Sequence, residues 1–373
     1  MMKPILRFTN FDNDWGEIEL LKIASEISYG MNAASKEYDG ENKYIRITDI
    51  DEQTNKYIHK NIVSPDGDLE EKFLVKENDI LFARTGASTG KTYLYDKNDG
   101  KLYYAGFLIK ANIINHNANF IFQQTKLNKY NSWVKIMSMR SGQPGINSQE
   151  YGSYKFSITS FEEENKISKF LSLLDKKIEL QSKKIEVLKL FTKNTISNEL
   201  NNLQNYNIFK FKDICNIQTG KSNTQDKCDD GIYPFYIRSE NIERSNNYIF
   251  DCEAVLTIGD GNIGKVFFYE NGKFDCHQRV YVLNNFKNVL GKYVYYYFSS
   301  FFYKRAMSMS AKNTVDSVRM EMISDMIIKV PQEKEQIKII NLFSSLDKKL
   351  ELEQNKLDKL QELKKGLMQN MFV

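Results

Sequence analysis

The sequence contains few histidines, cysteines and prolines, and each shortage excludes a class of protein. Three histidines and four cysteines occur in 373 residues, and no two cysteines form a C-x-x-C pair. A zinc site and a disulfide framework are therefore not indicated. Five prolines and 19 glycines exclude collagen-like chains and proline-rich disorder. No apolar run is long enough to span a bilayer, and the first residues lack the apolar run of a signal peptide, so we expect a cytoplasmic protein.

The composition is that of folded, globular domains. Apolar residues make up 41% of the chain, charged residues 27% and aromatic residues 13%. At roughly 150 residues per domain, the length predicts two domains or three. The net charge of +4 is too small to indicate a nucleic-acid partner by itself.

Two long charged segments, residues 161–203 and 331–373, repeat each other at an offset of 172 residues. The clearest match joins Leu174–Leu180 to Leu346–Leu352, which are identical at six of seven positions. Both segments are rich in Lys, Glu and Leu, which is typical of long exposed helices. We therefore predict two related long helices.

The apolar residues of these helices follow alternating steps of three and four, which is the spacing of a coiled-coil seam. A polar residue, Gln181 or Glu353, interrupts the seam at the same place in each copy. Two helices with matched seams in one chain most simply pair with each other, and two independent surface helices are the alternative. The predicted seam residues are Ile167, Leu171, Leu174, Ile178, Ile185, Leu188, Ile339, Phe343, Leu346, Leu350, Leu357 and Leu360.

The segments before the two helices also repeat, more faintly and in the same order. Tyr44–Arg46 corresponds to Tyr236–Arg238, and an apolar strand then leads into a glycine turn at Gly86 and at Gly259. An aromatic strand and an aromatic helix follow in each copy. We predict an α+β chain made of two copies of one globular unit followed by a helix. The predicted segments are 1–160 (globular), 161–203 (helix), 204–330 (globular) and 331–373 (helix).

The glycine turns partly match a phosphate-binding loop, which requires G-x-x-x-x-G-K-[ST]. Gly86–Thr92 is one residue short, and Gly259–Val266 has the spacing but ends in valine. Each copy fails a different requirement. A nucleotide-dependent enzyme that uses these turns as a degenerate phosphate loop remains the alternative function.

Other catalytic arrangements are not indicated. The carboxylates of residues 66–71 lie in a polar loop, not on paired strands that would hold a catalytic metal. No two prolines are adjacent, as the Asn/Asp-Pro-Pro-aromatic loop of an amine methyltransferase requires. His59, His116 and His277 are scattered, and no nucleophile and base can be paired. We predict neither a catalytic nor a metal site.

Several ordered motifs give the chain a family resemblance. These are Gly142–Asn147 with Gln149–Tyr151, Gly259–Gly261 with Ile263–Lys265, His277–Tyr281, Thr314–Arg319 and Pro331–Gln336. Together with the two helices, they make the chain resemble the specificity subunit of bacterial type I restriction–modification enzymes over essentially its whole length. One departure is Ser160–Asn165, where the family's proline and E-x-Q start of the first helix is degraded, so the beginning of that helix is less well defined.

The resemblance implies a non-catalytic subunit that reads DNA. Each globular domain would be a target recognition domain for one half of a bipartite double-stranded target. The long helices would form an antiparallel coiled coil with a pseudo-twofold repeat, set the spacer and dock two adenine methyltransferase subunits. Nuclease–translocase subunits would complete the restricting complex, and S-adenosylmethionine, ATP and magnesium would belong to the partner subunits. A related specificity domain of another restriction class would need a fused nuclease or methylase, which the chain does not show.

Reading of bases requires Arg, Lys, Asn and Gln side chains among phosphate contacts. The candidates of the first domain are Arg46, Arg84, Ser88, Lys91, Arg140, Ser141, Gln143 and Asn147. Those of the second domain are Arg238, Ser239, Asn262, Lys265, Gln278, Arg279, Lys312, Asn313 and Arg319. Each could instead be a solvated loop residue or a cap, and Arg46 and Arg238 have the strongest structural alternative because their motifs read as strand. The glycines of the two turns are predicted to form the turns, not to make contacts.

Overall fold

The computed structural model describes residues 3–139, 144–309 and 317–373. The chain forms two compact units, of which the first combines the segment up to Leu180 with Leu357–Val373 and the second is Gln181–Lys356. Each long helix therefore contributes residues to both units, whereas the plan predicted from the sequence treats each helix as one segment. No helix in these three ranges is long and apolar enough to cross a membrane.

In its described residues, the first unit contains ten short strands and four short helices. Its strands are β1 (Gly16–Glu19), β2 (Ala24–Tyr29), β3 (Ala34–Glu37), β4 (Lys43–Ile45), β5 (Val63–Asp66), β6 (Asp79–Ala83), β7 (Thr92–Leu94), β8 (Leu102–Tyr104), β9 (Leu108–Ile113) and β10 (Lys155–Ile158). Its short helices are α1 (Leu20–Ile23), α2 (Ala118–Gln124), α3 (Asn128–Ser138) and α4 (Ser148–Ser153). Short 3-10 turns lie at Ile47–Asp49, Glu71–Phe73, Gly86–Ser88 and Lys97–Asp99.

A four-stranded antiparallel sheet in the order β2-β9-β6-β7 forms the centre of the first unit. All five residues of β6 are buried, as expected for an apolar strand between two others. Strands β1 and β10 form a separate antiparallel pair, and β4 pairs with β8 in parallel. The loop that follows β8 leads into β9, which pairs with β6.

The second unit is built in the same way after the long helix α5 (Phe161–Asn201). Its strands are β11 (Tyr206–Lys210), β12 (Asn216–Thr219), β13 (Tyr233–Tyr236), β14 (Ile242–Ser245), β15 (Phe250–Ile258), β16 (Phe267–Cys276), β17 (Val280–Asn284) and β18 (Ile327–Pro331). Its short helices are α6 (Phe211–Ile214), α7 (Gly291–Ser308) and α8 (Met320–Ser324), with a 3-10 turn at Thr224–Asp226. The second long helix, α9 (Glu333–Met371), follows.

The sheet of the second unit has the order β12-β17-β15-β16-β13-β14. Its first four strands reproduce the antiparallel order of the first unit, and β13 pairs in parallel with the end of β16 as β4 pairs with β8. Strands β11 and β18 form the separate pair that corresponds to β1 and β10. The internal repeat predicted from the sequence is thus confirmed by the strand topology.

The long helices supply part of the core of each unit. Ile167 and Leu171 of α5 pack with Met368 and Met371 of α9, and with Phe372 just after it, in the core of the first unit. In the second unit, Leu200 of α5 and the α9 residues Ile339 and Phe343 belong to the core under the aromatic helix α7. These apolar contacts are the main reason why long, charged helices remain attached to the globular parts.

Within each unit the two helices run antiparallel, in agreement with the predicted coiled coil. Lys364 of α9 pairs with Asp175 of α5 in the first unit, and Gln181 bonds to Glu353 in the second. The predicted seam residues Ile167, Leu171, Leu174, Ile185, Ile339, Phe343 and Leu357 are buried, and Ile178, Leu188, Leu346, Leu350 and Leu360 are half-buried.

The two polar residues that interrupt the seam bond to each other. The Gln181 amide Nε2 donates to the Glu353 backbone oxygen and to its Oε2, both at 2.8 Å. Lys184 and Lys356 lie 2.9 and 3.1 Å from the same carboxylate. The amide hydrogen bond, followed by the two ammonium groups, lowers the pKa of Glu353 to about 2. A polar pair of this kind within the seam fixes the register of two helices, because any slip would separate its partners.

Candidate nucleic-acid interface

Each of the two glycine turns contains two glycines with positive φ. Gly86 and Gly90 have φ values of +74° and +90°, and Gly261 and Gly264 have values of +77° and +67°. A Cβ on Gly90 would lie 2.4 Å from Val134 of α3, and one on Gly264 would lie 2.8 Å from the Tyr303 backbone of α7. These positions favour the predicted turn-forming role.

In each unit, backbone hydrogen bonds bring three loops together around the glycine turn. In the first unit the Arg84 N–H donates to the Phe107 oxygen at 3.0 Å, and the Ile146 N–H donates to the Arg84 oxygen at 2.9 Å. In the second unit Gly259 takes the place of Arg84, since it donates to the Arg279 oxygen and accepts from Val318, both at 2.7 Å.

We call residues 84–91, 105–108 and 144–147 the first loop edge, and residues 259–265, 277–280 and 317–319 the second loop edge. A further loop packs closely against each of them. A Cβ on Gly30 would lie 2.2 Å from the Ala105 oxygen, and one on Gly220 would lie 2.1 Å from the Cys276 oxygen. The backbone of both edges is therefore held from several sides.

The second loop edge presents several exposed polar side chains from the predicted set. Asn262, Lys265, Gln278, Arg279 and Arg319 are exposed on its three segments. Within the described residues, the three cations among them form no ion pair, although the Lys265 ammonium lies 5.7 Å from the centre of the Tyr303 ring. Gln278 is bonded to the Asn223 side chain at 2.9 Å. These free cations give the edge a local positive charge.

Two more candidates lie next to this edge. The Arg238 guanidinium is 3.3 Å from the Asp260 carboxylate, so it is joined to the glycine turn, and half of its side chain is exposed. Ser239 caps its own turn, because its Oγ accepts from the Asn241 N–H at 3.2 Å. Arg238 thus has a partner within the protein, Asp260, which supports the structural alternative. The strand of its Tyr-Ile-Arg motif ends at Tyr236, two residues before it.

His277 is a buried residue of the second loop edge that lies near two guanidinium groups. Burial, together with the Arg238 and Arg279 guanidinium groups, lowers the pKa of His277 below its ordinary value. The ring is therefore neutral at pH 7, and its Nδ1 accepts the Arg279 N–H at 3.0 Å. The histidine acts here as a clamp on the loop that carries Arg279.

The candidates of the first unit are more often engaged in structural contacts. The Arg46 guanidinium binds the Asp49 carboxylate through two nitrogens, at 2.8 and 2.9 Å, which raises the pKa of Arg46. Lys91 donates to the Ile50 oxygen at 3.1 Å and pairs with Glu52, and only 12% of its side chain is exposed. These contacts favour a structural role for both Arg46 and Lys91 over a contact with DNA.

Arg84, Ser88 and Asn147 lie on the first loop edge. The Arg84 guanidinium stacks over the Tyr29 ring at 4.7 Å and lines a cleft of about 330 Å³ together with Asn147 and Glu150. Asn147 also caps α4, since its side chain accepts from the Glu150 N–H at 2.9 Å. Ser88 is half-buried in the 3-10 turn. The remaining candidates, Arg140, Ser141, Gln143, Lys312 and Asn313, lie outside the described residues.

Phe107 of the first loop edge was not among the residues predicted from the sequence. Its side chain is 64% exposed, and it stands where the second loop edge carries Arg279. The offset of 172 that aligns the long helices also aligns these two positions. Applying this offset to the segment before β9 would have paired Phe107 with Arg279, whereas an aromatic residue beside a strand by itself indicates a core position.

The glycine turns do not have the geometry of a phosphate-binding loop. Such a loop joins a strand to the N-terminus of a helix, whereas these turns join the antiparallel strands β6 and β7, and β15 and β16. The alternative prediction of a nucleotide-dependent enzyme therefore loses its structural basis. In the described ranges, no group of three or more His, Cys, Asp or Glu could hold a metal ion.

Comparison with known proteins gives the family. A sequence model described as the type I restriction modification DNA specificity domain matches residues 18–190 and 204–362. The EcoDI specificity subunit of a type I restriction enzyme from Escherichia coli is 25% identical over 157 residues, which are 42% of this chain and 34% of that protein. The aligned part thus spans about a third of the length of that relative.

Two solved structures have the same fold. The S subunit of a type I restriction–modification system from M. genitalium has a TM-score of 0.66 and 15% identity, covering 100% of this chain and 99% of that one. A chain from a structure on complex assembly and conformational transition of the type I R-M system has a TM-score of 0.58 and 13% identity, covering 95% and 96%. With the family match over most of the chain, these findings show that the chain belongs to the type I restriction–modification DNA specificity family and carries its domain twice.

Proposed function

We propose that this chain is the DNA-reading subunit of a type I restriction–modification complex, in which each globular domain reads one half of a bipartite double-stranded target. The observation that carries the proposal is the duplicated loop edge, where one backbone arrangement occurs twice with different side chains. Two copies of one scaffold suit a target of two unlike halves, because the scaffold fixes the position while the side chains determine the base.

Charge and exposure support the same proposal. Lys265, Arg279 and Arg319 are exposed and form no ion pair with any described residue, so they are available for phosphate or base contacts. The chain as a whole has a net charge of only +4, so attraction to DNA would depend on such local unpaired cations and not on a bulk positive charge. A local cationic edge suits a protein that reads a short sequence.

The helices are proposed to set the spacer and to dock two adenine methyltransferase subunits. Exposed apolar side chains on otherwise charged helices support docking, since such residues mark interaction surfaces. In the first unit α5 exposes Leu173 and Leu180, which are seven residues apart and share one face. In the second unit it exposes Val187 and Phe191, which are four residues apart and also share one face.

The remaining components are assigned to partner subunits. Methyl transfer to adenine requires S-adenosylmethionine, and translocation with cleavage requires ATP and magnesium. We propose that the methyltransferase and nuclease–translocase subunits bind these cofactors, and that the present chain contributes only recognition and assembly. It would act in the cytoplasm, where the host DNA lies.

Replacement of the second domain is expected to change one half of the methylated target only. Residues 204–331 should be exchanged for those of another family member, so that β11 and its partner β18 move together. Sequencing of methylated adenines in host DNA, with the native gene, the hybrid gene or no gene, measures the result. A simultaneous change of both halves would contradict the one-domain, one-half assignment, and the absence of any gene-dependent motif would refute the proposed function.

The two lysines of the glycine turns are expected to behave differently. Lys265→Ala removes an exposed cation, so it should weaken DNA binding and reduce the dependence of log K on log salt by about 0.9 for one lost phosphate contact. Lys91→Ala removes a side chain that bonds within the protein, so it should lower stability and leave the salt slope unchanged. Binding of the assembled complex to its target at several salt concentrations measures both. Equal salt slopes for the Lys265 variant and the native protein would show that Lys265 is a solvated side chain that makes no phosphate contact.

A further inference from the structure

Phe107 and Arg279 occupy one position in two copies of the same rigid loop. Each loop has three residues, 105–107 after β8 and 277–279 after β16, and each is closed by a backbone bond of 2.8 Å, from Leu108 to Ala105 and from Val280 to His277. The carbonyl of the third residue accepts a hydrogen bond from the glycine-turn segment in both copies. The backbone at this position is therefore fixed equally in the two units.

The side chains at this position differ in chemistry and are both directed away from the core. Phe107 is 64% exposed, although a phenylalanine normally gains free energy from burial. Arg279 is exposed and has no ion-pair partner in the described chain. A fixed backbone that carries two unlike, unengaged side chains is the arrangement expected of a position that determines specificity.

The side chains next to Phe107 on the first loop edge are engaged in contacts within the protein. The Arg84 guanidinium is stacked on Tyr29, and Asn147 caps α4. Lys91 is bonded to the Ile50 oxygen. In the described part of the first loop edge, Phe107 is thus the large side chain with the greatest freedom to contact a ligand.

On the basis of the proposed function, we infer that residues 107 and 279 each read one base pair, and that they read different bases. In the major groove, the aromatic ring of Phe107 would contact the C5-methyl group of a thymine in the first half of the target. The Arg279 guanidinium would donate two hydrogen bonds to O6 and N7 of a guanine in the second half. These are the pairings that the chemistry of each side chain favours.

Base analogues in the target test the inference on the native complex of this chain with its methyltransferase. Once the target is known, each thymine of the first half is replaced in turn by deoxyuridine, which lacks only the methyl group. One replacement should weaken binding about fourfold, the effect of losing one buried methyl group. In the second half, one replacement of guanine by 7-deazaguanine should weaken binding about tenfold, the lower part of the range for a bidentate pair.

The matching protein variants connect these effects to the two residues. Phe107→Ala should bind thymine and deoxyuridine targets equally, and Phe107→Tyr, which keeps the ring, should still distinguish them. Arg279→Ala should bind guanine and 7-deazaguanine targets equally, and a variant that distinguishes them as the native complex does would overturn the assignment of Arg279. Because both side chains are exposed, the variants should unfold at the native temperature, which circular dichroism checks.

The outcomes separate this inference from the proposed function. If Phe107→Ala distinguishes thymine from deoxyuridine as the native complex does, or no thymine of the first half responds, the assignment of Phe107 is overturned. Weaker binding by Phe107→Ala without any deoxyuridine effect would indicate a wedge between bases and would likewise overturn the methyl contact. In both cases the proposed function stands, because it is tested separately by gene-dependent bipartite methylation and by the exchange of the second domain.

Discussion

Seven residues added to each long helix are expected to abolish methylation of the native target. The insertions belong between Leu180 and Gln181 in α5 and between Lys356 and Leu357 in α9, where the chain passes from one unit to the other. All contacts within each unit are then kept, including the Gln181–Glu353 bond. A heptad maintains the seam and lengthens each helix by about 10 Å.

The expected loss follows from the geometry of DNA. An added 10 Å corresponds to about three base pairs, which also rotate the second half-site by about 100°. Seven residues rotate a straight α-helix by only about 20°. If the helices set the spacer, the lengthened protein cannot match the native spacing, and methylation of a target longer by about three pairs should be weak because its two halves face different directions.

Methylome sequencing of strains that carry the lengthened gene gives the result. The matched control inserts the same seven residues between Asp229 and Asp230, in an exposed turn of the second unit, and should leave the spacer unchanged. Full methylation of the native target by the protein with longer helices would show that they do not measure the DNA.

Arg7→Ala is expected to destabilise the first unit by about 3 kcal/mol, at the lower end of the range for breaking a buried ion pair. The Arg7 guanidinium binds the Glu163 carboxylate through two nitrogens, at 2.7 and 2.8 Å. Glu163 is fully buried, and only 11% of the Arg7 side chain is exposed. Removal of the cation leaves a buried carboxylate with the Thr159 hydroxyl as its remaining side-chain partner.

Urea unfolding followed by tryptophan fluorescence isolates this effect. The only two tryptophans of the sequence, Trp15 and Trp133, both lie in the first unit, so their signal reports its unfolding. Lys129→Ala is the matched control, because it breaks an exposed pair with Glu17 and should cost less than about 1 kcal/mol. Adding Glu163→Gln to Arg7→Ala should recover part of the loss. A change below 1 kcal/mol for Arg7→Ala would mean that water replaces the guanidinium.

The sequence reveals the repeat, the seam and its polar interruption, because these depend on spacing along the chain. It even places Gln181 and Glu353 in register, but their hydrogen bond depends on how the two helices pair. The Arg46–Asp49 pair is similarly accessible, since its partners are three residues apart. Lys91 could not be assigned in this way, because its partners Ile50 and Glu52 become neighbours only through the tertiary fold.

The departure from the family motif at the start of the first long helix, Ser160–Asn165, is explained by contacts in the folded protein. The Gln336 side chain accepts the Leu290 N–H at the start of α7 and donates to the Pro331 oxygen, both at 2.9 Å. Glu164 is its counterpart and accepts the Asn117 N–H at the start of α2, also at 2.9 Å. A carboxylate cannot donate as the amide does, and its second oxygen lies 2.8 Å from the His116 ring instead. This compensation by a residue 48 positions away is invisible in the local motif.

The assignment of residues 357–373 to the first unit reverses the usual order of folding during translation. Phe372 packs against Phe120 and Trp15, with ring centres 5.2 and 6.2 Å apart. A ribosome makes these residues only after it has made the whole second unit. The second unit can therefore fold as it emerges, whereas the first, although begun earlier, waits with an incomplete core until the last helix arrives. A nascent chain halted near Lys356 would carry a complete second unit and would expose the unfinished core of the first to chaperones and proteases.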